Sequence, residues 1–342
     1  MTPWLDALVG DAAMAEWFTD AADLAAMLAF EAALAAAQAE CGLIPDAAAA
    51  AIAAACARFE PDWGRLRDGM ARDGVTGPTF VAGLRDRLDE QHRPWLHFGT
   101  TSQDVTDSSL TLRLKPAVAE FGTRLAAVIA SLDALAAQGE VALMGRTRMQ
   151  RASPITAADK LAAWTRPLRR HRQRLAELSP RLLVVQFGGP VGVRGEHGDA
   201  VATGLAARLG LGDAPCWHTA RDTIAEFGNW LATLCGLLGK IGQDVALLAQ
   251  NEVGAVRLAS GGASSAMPHK SNPIAAETLV ALARYAAAQS GALGQALVAE
   301  NERSGAAWTL EWMLLPPLVV ATAAALRHAG AMLSGLTFIP EA

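Results

Sequence analysis

Residues 221–253 read RDTIAEFGNWLATLCGLLGKIGQDVALLAQNEV. The apolar residues Ile224, Phe227, Leu231, Leu234, Leu238, Ile241, Val245 and Leu248 recur at alternating steps of three and four. That spacing is a heptad seam, the pattern that packs long helices side by side at shallow angles. One helix over 221–253 would be about 50 Å long at ~1.5 Å per residue. Only Glu226, Lys240 and Asp244 are charged between Ile224 and Leu248, whereas Gly228, Ala232, Gly236, Gly239, Gly242 and Ala246 are small. Small side chains let helices approach closely, so a second face of this helix is expected to be buried as well.

Two further seams precede it in the chain. One runs Leu114, Val118, Phe121, Leu125, Val128, Leu132, Leu135; the other Leu161, Trp164, Leu168, His171, Leu175, Leu178. No set of segments alternates with period two, and Leu182–Phe187 is an isolated strand candidate. The fold predicted is all-α, a long-helix bundle. Helix ends are marked by turn-rich breaks at 92–109, 139–154, 186–198 and 260–273. The expected organisation is an N-terminal helical domain over 1–108, a central bundle domain over 109–335 and a short tail over 336–342. Helices this apolar point to a homo-oligomer with a shared core of helices, of dihedral symmetry.

Composition narrows the function. Of 342 residues, 52% are hydrophobic and 18% charged, with a net charge of −5. An average soluble protein has about 25% charged residues, so this chain must bury an unusual apolar surface, which excludes intrinsic disorder. A mildly acidic chain without basic runs gives no electrostatic reason to bind nucleic acid or an anionic membrane. Apolar runs such as 312–326, interrupted by Pro316 and Pro317, fall short of the ~20 residues of a spanning helix. The acids Asp6 and Asp11 near the N-terminus do not fit a secretory signal. Cys41, Cys56, Cys216 and Cys235 are scattered, with no metal-ligand spacing. A reduced, cytoplasmic protein is expected, with no cofactor and no metal.

The 260–273 break carries chemistry. Gly261-Gly262 give backbone freedom, Ser264 and Ser265 supply hydroxyls, and Lys270 and Asn272 supply a charge and an amide. Pro273 suits the start of the following helix. The string SSAMPHKSNP at 264–273 resembles the signature loop of the fumarase/aspartase superfamily, with Ala263 in place of the usual glycine. HFGTTSQD at 97–104 and GRTRMQ at 145–150 resemble its two other shared regions, in the same order. This superfamily includes fumarase, aspartase, argininosuccinate lyase, adenylosuccinate lyase and 3-carboxy-cis,cis-muconate cycloisomerase.

The resemblance implies a shared reaction: removal of a proton next to a carboxylate through an aci-carboxylate, then loss of a group from the adjacent carbon. It implies that Ser264 is the base, acting as an alkoxide whose charge needs backbone donors and cations. Lys270 and Asn272 would hold the carboxylate. Thr101, Ser102 and Thr147 would be substrate hydroxyls, with Gln150 and Met267 as further contacts. His97 would donate a proton or bind a carboxylate.

The 145–150 region departs from the pattern as well. Superfamily members that expel nitrogen carry Thr-His where this chain has Thr147-Arg148. A carboxylate leaving group, with a conjugate-acid pKa near ~4, leaves unprotonated at neutral pH and needs no such histidine. Arg148 could instead bind a carboxylate in bidentate fashion. The stretches 215–232 and 299–312, with Trp217-His218-Thr219 before Arg221-Asp222 and with Glu302-Arg303, resemble the cycloisomerase branch. That branch interconverts 3-carboxy-cis,cis-muconate and 4-carboxymuconolactone in the protocatechuate branch of the beta-ketoadipate pathway. A tricarboxylate substrate also requires cations, for which Arg146, Arg148, Arg151, Lys270 and Arg303 are available. His171, on a seam, is expected to be structural. His218 is expected to cap or pack, with a site role left open. Gly188-Gly189 lacks the spacing of a phosphate loop. An adenylosuccinate-lyase-like C–N lyase and a non-catalytic structural protein are the alternatives. The resemblance implies a homotetramer whose sites are shared between subunits.

Overall fold

The heptad seams become the centre of the molecule. The computed structural model describes residues 3–259, 261–263, 267 and 270–341. Among these, the first helices are α1 (Pro3–Val9), α2 (Ala12–Ala15), α3 (Asp20–Glu40), α4 (Asp46–Ala57), α5 (Trp63–Asp73) and α6 (Gly77–Arg85). Then come α7 (Ser102–Ala134), strands β1 (Ala142–Thr147) and β2 (Gln150–Thr156), α8 (Ala157–Leu182) and α9 (Gly198–Leu209). The chain finishes with α10 (Asp222–Leu248), β3 (Val256–Leu258), α11 (Ile274–Leu293), α12 (Gly305–Ser334) and β4 (Leu336–Phe338). The class is all-α, with two short antiparallel β pairs, β1–β2 and β3–β4.

Every residue of the α10 seam is buried, as are those of α7 and α8. These helices share one core with α11 and α12, which takes in Met14 of α2 and residues from Leu110 to Phe338. A second core joins α3, α4 and α6 to Val105, Phe187 and the inner face of α9. The division we propose at 108/109 falls inside α7, where Val105 belongs to the second core and Leu110 to the first.

The small residues of α10 act inside the chain. A side chain at Gly242 would meet Ala276 O at 2.6 Å, and one at Gly239 would overlap Ala283. These glycines therefore let α11 pack closely on α10, which buries the second face of α10, as its small residues predict. Gly236, on the exposed face, has nothing within 4 Å. By length and composition α10 and α12 could cross a membrane, but their apolar residues here form the bundle core.

Three expectations need correction. The α10 helix ends at Leu248 rather than at 253, because Gly254 adopts φ +59° and its N–H closes a turn on Gln250 O at 2.7 Å. The 182–187 segment is not a strand; only Val184 pairs, in a single bridge to Gly212, while Val185 and Phe187 fill the second core. The 139–154 break is a β-hairpin rather than a loop, Thr147 pairing with Gln150 around Arg148 and Met149. Both turn residues have positive φ, +50° and +67°, as a two-residue hairpin turn of primed type requires. The tail is tied down: β4 pairs with β3, and Glu341 N donates to Ala142 O at 3.0 Å.

Candidate active site

The N-termini of α7, α10 and α12 meet at one end of the bundle. Arg221, at the start of α10, pairs with Asp107 of α7 (Nη1–Oδ2 2.7 Å) and with Glu311 of α12 (Nε–Oε2 3.0 Å). All three are buried. Asp107 also accepts from Trp308 Nε1 at 3.0 Å, and the guanidinium stacks 4.6 Å above the Trp217 ring. Burial would lower the Arg221 pKa, but the two carboxylates hold it above its ordinary value.

On this frame sits the first shared region. Thr101 is the N-cap of α7, and Asp104 accepts from Thr101 N at 3.1 Å and from Thr100 Oγ1 at 2.9 Å. Asp104 further accepts from Gly188 N and Gly189 N, both at 2.9 Å, so the 188–189 turn is moulded onto a buried carboxylate. Ser102 follows, half-buried against Gly77. His97 adopts φ +59° and its Nδ1 stands 2.5 Å from Glu31 Oε1. Seven residues on along α3, Gln38 Nε2 donates to Phe98 O at 2.6 Å, so one helix face grips the loop at two points. A carboxylate can only accept, so the pairing puts a proton on His97 Nδ1 and leaves Nε2 to act. Glu31 Oε2 is buried without a partner among the described residues. Arg303 reaches the same end, donating to Gln103 Oε1 at 3.0 Å and to Pro190 O at 3.2 Å.

The described residues of the other two regions lie at the opposite end. The hairpin holds Arg146, which bonds Met144 O at 3.0 Å and pairs with Glu341 at 2.9 Å. That pairing draws the Glu341 carboxyl below its usual range, burial opposing. Thr147, Arg148 and Gln150 stand exposed around the turn. Lys270 and Asn272 follow the C-terminal end of α10 in the chain, and Asn272 exchanges two backbone hydrogen bonds with Gly262 at 2.8 and 3.0 Å. With Met267, Arg257 and Glu277 they line a cavity of about 1050 Å³. Ser264, the expected base, lies outside the described residues, as does His269.

A single chain thus brings His97, Thr101, Ser102 and Arg303 together at one end. Arg146–Gln150, Met267, Lys270 and Asn272 lie at the other. The 33 residues of α7 put about 50 Å between the two ends at ~1.5 Å per residue. Sequence reasoning missed Glu31, Gln103, Asp104, Asp107 and Glu311. A signal existed for Asp104, the Thr-x-x-Asp spacing of a helix start. For Glu31 and Gln38 the signal was polarity at a seven-residue interval in a helix otherwise rich in alanine.

Two further histidines divide as their contacts dictate. His171 is structural: Nε2 lies 2.9 Å from Trp230 O, the ring stacks on Trp230, and burial pushes its pKa down to about 4. His218 does not cap α10, whose N-cap is Arg221; it is buried against Asp104, Nε2 to Oδ1 at 2.8 Å.

Long seam helices with the described residues of the three regions at the bundle's two ends define a class, and residues 9–287 match the Lyase family. The chain belongs to that family, the fumarase/aspartase superfamily of the sequence reading, and is an enzyme of the lyase/isomerase type. It is 42% identical to the 3-carboxy-cis,cis-muconate cycloisomerase of Pseudomonas aeruginosa over 97% of this chain and 74% of that one. It is 35% identical to trans-aconitate decarboxylase 1 of Mycosarcoma maydis, over 99% of this chain and 70% of that one. The crystal structure of the 3-carboxy-cis,cis-muconate lactonizing enzyme from Pseudomonas putida superposes with a TM-score of 0.90 at 38% identity. It covers 98% of this chain and 77% of that one.

Proposed function

We propose that this protein interconverts 3-carboxy-cis,cis-muconate and 4-carboxymuconolactone without a cofactor. The observation that carries the reading is the 42% identity to a cycloisomerase over nearly the whole chain. In the lactone-opening direction a base takes the proton beside a carboxylate. The ring C–O bond then breaks, its electron pair leaves with the carboxylate oxygen, and the diene forms. In the reverse direction that oxygen adds to carbon and the neighbouring carbon takes the proton; no atom is gained or lost.

In this proposal Ser264 is the base, and Lys270 and Asn272 hold the carboxylate whose second negative charge develops. Thr101, Ser102, Thr147, Gln150 and Met267 contact the substrate. Arg146, Arg148 and Arg303 supply cations for a substrate with three carboxylates, and Arg148 replaces the histidine of the nitrogen-expelling lyases. His97, held by Glu31, donates a proton or binds a carboxylate. Because the two groups of residues lie a helix length apart in one chain, a complete site needs more than one subunit. We propose a homotetramer in which opposite bundle ends meet.

The deciding experiment is an assay without added cofactor that follows loss of the muconate diene absorbance, with adenylosuccinate as the parallel substrate. Turnover of the muconate alone is expected. Ser264→Ala should abolish it while the assembly stays intact; turnover of adenylosuccinate instead would reassign the enzyme to the C–N lyases.

A further inference from the structure

Cys216, Trp217 and His218 form a short segment fixed by its central residue. Trp217 N donates to Gln186 Oε1 at 3.0 Å and its indole N–H to Val185 O at 3.1 Å. The two flanking side chains converge: a point at the Cβ position of Gly192 lies 3.3 Å from Cys216 Sγ and 3.7 Å from His218 Nδ1. On the far side of the ring, His218 Nε2 meets Asp104. Asp104 already accepts from two backbone N–H groups of the 188–189 turn, from Thr101 N and from the Thr100 hydroxyl. A carboxylate so surrounded by donors is an acceptor only, so Nε2 carries a proton and Nδ1 is the ring atom free to gain or lose one.

Nδ1 is buried, in a side chain only 3% exposed, and closes no hydrogen bond of ordinary geometry among the described residues. Burial works against a charged ring, but Asp104 and then the Cys216 thiol outweigh it and raise the His218 pKa to about 9. Beyond the thiol opens a cleft of about 460 Å³ lined by Gly192, Arg194, Asp199, Asp213 and Pro215 as well as Cys216. Arg194, a guanidinium that cannot accept a proton, pairs with Asp199 and Asp213 and donates to Phe187 O, and the basic atom that converges with the sulfur is His218 Nδ1.

We propose that Cys216 is a reactive thiol whose proton passes to His218, positioned by Asp104, and that hydrogen peroxide entering the cleft oxidises it to the sulfenic acid. The thiolate sulfur attacks one peroxide oxygen and the O–O bond breaks. The departing hydroxide takes the Nδ1 proton and leaves as water, so sulfur loses two electrons and peroxide gains two. A nucleophile, a base and an orienting carboxylate in series are the arrangement that activates cysteine elsewhere.

The other cysteines give an internal comparison. Cys56 and Cys235 are buried, and burial pushes both thiols up to about 12. Cys41 is half-buried, as Cys216 is. The test treats the full-length reduced protein with hydrogen peroxide in the presence of dimedone and measures each cysteine's labelling rate by peptide mass spectrometry. Cys216 should label at least about tenfold faster than Cys41. His218→Gln, checked by circular dichroism, should bring Cys216 down to the Cys41 rate, and Cys216→Ser should lose the label without loss of turnover. Equal rates for Cys216 and Cys41 in the unaltered protein would overturn the proposal. So would an unchanged Cys216 rate in folded His218→Gln. If that variant does not fold, the comparison within the unaltered protein decides.

Discussion

His97 Nδ1 and Glu31 Oε1 are 2.5 Å apart although 66 residues of chain separate them. Glu31 is 1% exposed, so this carboxylate was taken out of water to hold one imidazole. A buried acceptor fixes both the ring's orientation and its proton, which is how general acids and bases are aimed. Glu31→Gln keeps the size but no longer dictates which nitrogen carries the proton. Its kcat should fall by about tenfold or more, and that of His97→Asn by about 100-fold. Steady-state kinetics on the muconate check both. A change confined to KM would give His97 a role in binding only.

The His218–Asp104 pair makes stability depend on pH with a definite sign. The folded-state pKa is raised from 6.5 to about 9. A group raised on folding stabilises fully below its unfolded value, and that stabilisation is lost as pH climbs through the folded value. The Tm should therefore fall by a few degrees between about pH 6.5 and about pH 9.5. His218→Gln should flatten this slope. A slope of the same size in the variant would trace the effect to another group.

The Asp107–Arg221–Glu311 cluster joins α7, α10 and α12 at the end that carries His97 and Arg303. Removing the cation leaves two buried carboxylates without a partner, the situation in which broken buried pairs cost about 3–5 kcal/mol. Arg221→Met should lose stability on that scale. Arg221→Lys should recover only part of it, because an ammonium cannot fork to two carboxylates. Thermal unfolding of the three proteins decides; near-equal Tm values would show that the cluster positions the helix ends without stabilising them.

How far the sequence alone reached depends on the range of the interaction. Ile224 to Leu248 repeats within a few residues, so the α10 seam was readable and all eight positions are buried. The hairpin was not readable. Its turn residues are Arg148 and Met149 rather than an Asn-Gly pair, and β1 and β2 show little alternation in burial. The motif residues were found by resemblance, but their supports were not. Glu31 meets His97, and Asp107 meets Arg221, only because long helices bring distant parts of the chain together. No local spacing records such a meeting.

The separation of the two groups of residues makes the shared-site proposal testable without a structure of the assembly. His97 sits at the N-terminal end of α7, and Lys270 beyond the C-terminal end of α10, at opposite ends of the bundle. His97→Asn and Lys270→Ala should each be nearly inactive alone. If a site takes its His97 from one subunit and its Lys270 from another, a mixed assembly contains some sites with both residues intact. Random exchange at equal proportions gives each contribution an even chance of being native, so about a quarter of full activity should return. If one chain supplied both residues, every site in the mixture would still carry a defect. Co-refolding the two variants and assaying the mixture separates these outcomes, and absence of recovery in a mixture shown to contain hybrid assemblies would sink the shared site.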